Sequence, residues 1–117
     1  MRYFKLKEFD SPDLSGSGQL MDPDFLNLLD KAREVANIPF KINSGVRTEE
    51  HNKSCGGKVN SSHLKGLAAD ISVKDSRSRF LVINALISVG LHRIGIAKSF
   101  IHVDADNSKS RNVYWTY

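Results

Sequence analysis

The chain has 117 residues, a net charge of +4 from 17 Lys and Arg against 13 Asp and Glu, and one cysteine. Such a length fits a single domain over residues 1–117, able to bury roughly two thirds of its unfolded surface without a disulfide. With 40% hydrophobic and 26% charged residues, the composition excludes a disordered, collagenous or coiled-coil chain, and no apolar run approaches the ~18 residues of a membrane span.

After a short arm (residues 3–9), the stretch Ser11-Pro12-Asp13-Leu14-Ser15-Gly16-Ser17-Gly18 reads as a polar loop. Residues 22–36 read as a helix. Asp22 is the expected N-cap and Pro23 suits the first helical position, where its missing N–H would be unpaired anyway. Phe25, Leu28, Leu29, Ala32, Val35 and Ala36 fall on one helical face, and Asn37 and Pro39 end it. Phe40-Lys41-Ile42-Asn43 alternates as a short strand would. Residues 44–67 are rich in Gly, Asn and Ser with weak periodicity, the mark of a long irregular and often functional segment. Regularity returns in a strand over 68–73 and a helix over 76–89, capped by Asp75 and stopped by Gly90. Phe80, Ile83, Leu86 and Ile87 are the expected apolar face of that helix. Residues 93–97 and 100–105 read as strands joined by a turn at Lys98-Ser99, and 113–117 as a last strand. This order predicts an α+β fold, with helices packed on one face of a small, mostly antiparallel sheet.

Three residues could hold a metal. In Phe100-Ile101-His102-Val103-Asp104-Ala105, period two puts His102 and Asp104 on one face, opposite Ile101 and Val103. His63 ends the Gly/Asn-rich segment, and Asp70 follows seven residues later inside an apolar strand. A carboxylate there needs a cation or a partner, because burying it alone is costly. Gly66 permits the chain to turn back between them. Two imidazoles and one carboxylate suit a catalytic zinc with an open fourth position. That metal would lower the pKa of water toward ~7 and polarise a carbonyl. The alternative is an Asp70–Arg47 ion pair with His63 facing solvent.

The segments Ser44-Gly45-Val46-Arg47, Gly56-Gly57 and Ser61-Ser62-His63-Leu64-Lys65-Gly66-Leu67-Ala68-Ala69-Asp70, with Phe100-Ile101-His102-Val103-Asp104, resemble the zinc D-Ala-D-Ala carboxypeptidase family. That family includes phage peptidoglycan endopeptidases and shares its fold with the hedgehog signalling domain. Its pattern is Ser-Gly-aromatic-Arg, then Ser-X-His-X-X-Gly-X-Ala-X-Asp, then a His on a downstream strand. The resemblance spans about residues 8–104. It implies zinc ligation by His63, Asp70 and His102. It also implies that Arg47 lies at the metal and binds a substrate carboxylate or carbonyl, a task suited to a planar, permanently charged fork. Ser62 would hold the metal loop or the substrate.

Two positions depart from the pattern. Val46 replaces an aromatic residue. Ser99 stands three residues before the last ligand, where many members carry an acidic general base. Asp104 is the expected replacement base; the alternatives are an orienting role for Asp104 behind His102, or a base at Glu49 or Glu50. His51 and Cys55 are loop residues near the expected cleft, His92 follows the helix stop, and Trp115 and Tyr117 would cap the core or line a groove.

The resulting expectation is a Zn²⁺-dependent peptidase acting on amide bonds of bacterial peptidoglycan, as a carboxypeptidase or endopeptidase. The N-terminal residues lack the apolar core of a signal peptide. Cytosolic synthesis and a phage lysin or virion-associated enzyme are therefore expected. A monomer is expected, with no membrane insertion. Basic residues are scattered rather than clustered, so nucleic acid is not an expected partner. The competing expectation is an inactive zinc-stabilised binding or virion structural module of the same fold.

Overall fold

The computed structural model describes residues 1–117. Asp22 caps α1 (Pro23–Ala36) by accepting a hydrogen bond from the Phe25 N–H at 2.9 Å. Phe25, Leu29, Ala32 and Ala36 form its buried stripe, joined by Leu26. Val35, expected on that stripe, is 54% exposed, because it lies at the stripe's outer edge and Leu26 takes the opposite flank.

The next strand, β1 (Ile42–Ser44), begins two residues later than expected, and Phe40 is buried in the core instead. The segment expected to be irregular contains a helix, α2 (Glu49–Ser54), capped by Thr48, whose hydroxyl accepts from the His51 N–H at 3.1 Å. A 3-10 turn (Ser62–Lys65) follows. Gly66 then adopts φ 69°, a left-handed conformation that reverses the chain into β2 (Ala68–Ser72).

Helix α3 (Ser76–Ser88) is capped by Asp75 as expected, but it buries a different face. Val82, Ala85 and Leu86 are buried, whereas Phe80 is 65% exposed and Ile87 is exposed too. Apolar residues surround this helix on nearly every side, so spacing alone does not choose the inner face. Packing against α1 and the sheet does.

The last strands are β3 (Arg93–Ile96), β4 (Phe100–Asp104) and β5 (Val113–Thr116). The sheet runs β1-β2-β4-β3-β5, antiparallel throughout except for the parallel β3–β5 pair. Ala69, Ile71, Ile94, Ile101 and Val103 point from one face into a single core shared with α1 and α3. The fold is therefore α+β, with a mostly antiparallel sheet covered by helices on one side. No helix is long and apolar enough to cross a membrane.

The opposite face positions the site. Register aligns Ser44 with Asp70, Asp70 with His102, His102 with Gly95, and Gly95 with Trp115. These five residues form one row across the whole sheet, all on the face that alternation turns away from the helices.

Candidate metal centre

Asp70 and His102 are neighbours because β2 and β4 pair in this register. His63 reaches them from the 3-10 turn. Its backbone is fixed there by Ser61, whose hydroxyl accepts from the His63 N–H at 3.2 Å, and by the Arg47 N–H, which donates to the His63 carbonyl at 3.0 Å.

The ring nitrogens are sorted by their partners. His63 Nδ1 lies 2.7 Å from the Gly45 carbonyl oxygen, which can only accept, so Nδ1 carries the proton and Nε2 is bare. His102 Nε2 lies 2.8 Å from Asp104 Oδ2, which leaves Nδ1 turned toward Asp70. His63 Nε2 and His102 Nδ1 both face Asp70 Oδ1, from 3.3 Å and 2.9 Å. The ligand atoms of His63, Asp70 and His102 all lie within 4.8 Å of one another and could hold a metal ion.

Lone pairs that meet a carboxylate in this way repel unless a positive charge lies among them. A proton on His102 Nδ1 is one such charge. Burial opposes the imidazolium of His102, but the carboxylates of Asp104 and Asp70 outweigh it and raise its pKa. Burial likewise pushes Asp70 up, yet the hydrogen bonds and charges of His102 and His63 hold it well below the usual carboxylate range. A divalent cation would satisfy the same three groups together. Tetrahedral bonds of ~2.0–2.2 Å set neighbouring ligand atoms about 3.3 Å apart, close to the separations seen here, and a His₂-carboxylate set suits zinc with one open position.

Residues 2–104 match the family model for Peptidase M15. The chain belongs to the Peptidase M15 family. No curated protein matches it. The match bears out the resemblance to zinc D-Ala-D-Ala carboxypeptidase-like peptidases, and M15 membership supports a zinc metallopeptidase.

Around the M15 centre, a cleft of about 730 Å³ is lined by Arg47, Asp70, Asp104, Trp115 and Tyr117, among others. The Arg47 guanidinium donates to Ser44 Oγ at 3.0 Å, Asn52 Oδ1 at 3.3 Å and Asp70 Oδ2 at 3.4 Å. It thus lies beside the candidate ligands and forms the Asp70 ion pair that was its alternative. Asn52, on α2, anchors the guanidinium and was missed in the sequence, since α2 itself carries no apolar stripe.

Asp104 is buried behind His102. Its Oδ1 accepts from Arg93 Nε at 2.7 Å and from the Asp106 N–H at 3.2 Å, and its Oδ2 accepts from His102. Burial raises its pKa, but His102, the Asp106 N–H and Arg93 together hold it below the ordinary value. Oδ2 meets the Nε2 edge of the imidazole, away from Nδ1, and Oδ1 is taken up by Arg93 and the Asp106 N–H. Of the two roles open for Asp104 in the sequence, this geometry favours orienting His102 over taking a proton at the metal.

Ser62 is also buried. Its hydroxyl donates to Asp106 Oδ2 at 2.7 Å and accepts from Lys109 Nζ at 2.9 Å. Asp106 further accepts from Lys65 and Ser108, so it ties the His63 turn to the segment after β4. The signal was present as His102-X-Asp104-X-Asp106, a period-two continuation beyond the strand. Trp115 and Tyr117 line the cleft, as one of their two expectations held. Cys55 is exposed on its rim, while Glu49, Glu50, His51, His92 and Ser99 do not line it.

Proposed function

We propose that this chain is a zinc-dependent peptidase that hydrolyses amide bonds in the stem peptides or cross-links of bacterial peptidoglycan. The observation that carries the reading is the convergence of two ring nitrogens on Asp70, each imidazole held by a partner on its other nitrogen. His63, Asp70 and His102 are the proposed ligands. Bound there, zinc supplies a Lewis acid that acidifies water and polarises a carbonyl.

The chain's own residues do the rest. Gly45 and Asp104 fix the two imidazoles in the ligating tautomers. Arg47, held by Ser44 and Asn52, presents its remaining donor capacity to a substrate carbonyl or carboxylate. Asp104 orients His102, and Ser62 holds the His63 turn through Asp106. Lys58 and Lys109 on the cleft rim, with the net charge of +4, favour an anionic wall polymer. A monomer with a single domain is part of the same proposal.

A second reading is favoured by one observation: Asp70 and Asp104 are the only carboxylates lining the cleft, and Asp104 is turned away. An inactive zinc-binding module of the same fold would look like this. Incubating purified sacculi and soluble muropeptides with the zinc-loaded chain, then analysing products by mass spectrometry, separates the two. Amide products that vanish with chelator and with His63→Ala support the peptidase. Stoichiometric zinc with neither fragments nor released D-Ala supports the module. Fragment masses name the bond.

A further inference from the structure

The family match ends at Asp104, and the final strand lies beyond it. Strand β5 joins β3 in parallel and sets Trp115 beside Gly95, which is also the cross-strand partner of His102. Alternation along β5 puts Val113, Trp115 and Tyr117 on the cleft face, and Tyr114 and Thr116 on the other.

Gly95 leaves room on the cleft face. A Cβ at this position would lie 2.6 Å from Trp115 Nε1 and 2.9 Å from Tyr117 Oη. Those two polar atoms therefore occupy the volume that a side chain beside His102 would fill. Facing Cβ positions on antiparallel strands are ~4.5–5.5 Å apart, so the phenol oxygen stands next to the metal-centre row. The flanking rings hold it. Trp115 packs 5.5 Å from the His102 ring, and Tyr117 packs 5.4 Å from Phe100. Tyr117 nonetheless stays 72% exposed and lines the same cleft as His63, Asp70 and His102.

The other hydroxyls of the cleft are engaged. Ser62 donates to Asp106, and Ser61 caps the His63 turn. Partial desolvation at the cleft moves the Tyr117 pKa upward from an already high phenol value, so the phenol keeps its proton at neutral pH.

Resting on the peptidase reading above, we propose that the Tyr117 hydroxyl donates a hydrogen bond to the scissile carbonyl oxygen as negative charge builds on it. The proton remains on the phenol, and no bond to Tyr117 forms or breaks. A donor fixed in advance where charge develops stabilises the transition state more than the ground state, so the effect falls on turnover.

The test is Tyr117→Phe, which removes the oxygen and keeps the ring against Phe100. Tyr114→Phe, on the opposite face of the same strand, is the matched control. Steady-state kinetics on the muropeptide cleaved by the wild type are measured with zinc content and Tm. The expected result is a fall of about 100- to 1000-fold in kcat with KM, zinc content and Tm unchanged, and a wild-type kcat in Tyr114→Phe. Wild-type kcat in Tyr117→Phe overturns the assignment, as does a defect confined to KM or one that follows lost zinc. A zinc-loaded wild type that releases no product overturns the peptidase reading itself. An active wild type equalled by Tyr117→Phe overturns this assignment alone.

Discussion

Asp104 carries the choice between two mechanisms in a single side chain. A proton acceptor at the metal would need a free oxygen facing His63 Nε2 and His102 Nδ1, and both Asp104 oxygens are already engaged. As the residue that holds the His102 ring, it would act through metal affinity under the proposed reading. Asp104→Ala is therefore expected to weaken zinc binding about 10- to 100-fold, as loss of an outer partner of a ligating histidine does. Competition against a chromophoric chelator measures this. A variant that keeps full zinc affinity while losing turnover would instead mark Asp104 as the base. At this scale the candidate ligands were legible, since His63, Asp70 and His102 sit in motifs of residue type and spacing. Their partners were not. Gly45, Arg93 and Asn52 reach the centre through register and through a helix without hydrophobic periodicity, and neither is written in local sequence.

Among the elements, α1 and α3 were legible because each carries a capping aspartate and a clear stop, and the caps form as read. The inner face of α3 was not legible, because a helix apolar on most sides leaves the choice to its neighbours. The choice has a stability signature. Leu86→Ala is expected to cost about 2–5 kcal/mol, as for other fully buried leucines. Phe80→Ala should stay within about 0.5 kcal/mol, as for a surface position. Urea titration of both variants checks the assignment, and equal losses would contradict it.

The Asp106 clamp joins the His63 turn to the segment after β4. Burial pushes its carboxyl up, but Ser108, Ser62 and Lys65 hold it well below the ordinary range. A depressed folded-state pKa contributes stability above the unfolded value of ~3.9 and loses it as pH falls from there toward the folded pKa. Asp106→Asn is expected to cost about 1.5–3 kcal/mol at neutral pH. The gap to wild type should narrow below about pH 4, as followed by denaturant unfolding across pH. A gap independent of pH would assign the loss to packing instead of charge.

For the whole molecule, the sheet has two unlike faces: one apolar and shared with α1 and α3, the other carrying the row from Ser44 to Trp115. The α+β class and the mostly antiparallel sheet followed from element order. The strand order β1-β2-β4-β3-β5 did not, because pairing between distant strands is decided by the shared core. The net charge of +4 acts at this scale too. Association with sacculi is expected to weaken as salt rises from about 0.01 to 0.15 M, over which the screening length falls from ~30 to ~8 Å. Sedimentation of the chain with sacculi reads this, and salt-independent binding would remove charge from the account.

The row across the sheet is read here as a zinc centre, and equilibrium zinc titration of the metal-free chain tests that most directly. One tightly held zinc per wild-type chain is predicted, with Asp70→Ala and His63→Ala losing stoichiometric binding while remaining folded by circular dichroism. A wild-type chain that binds no zinc, or variants that bind it as well as wild type, would contradict the account.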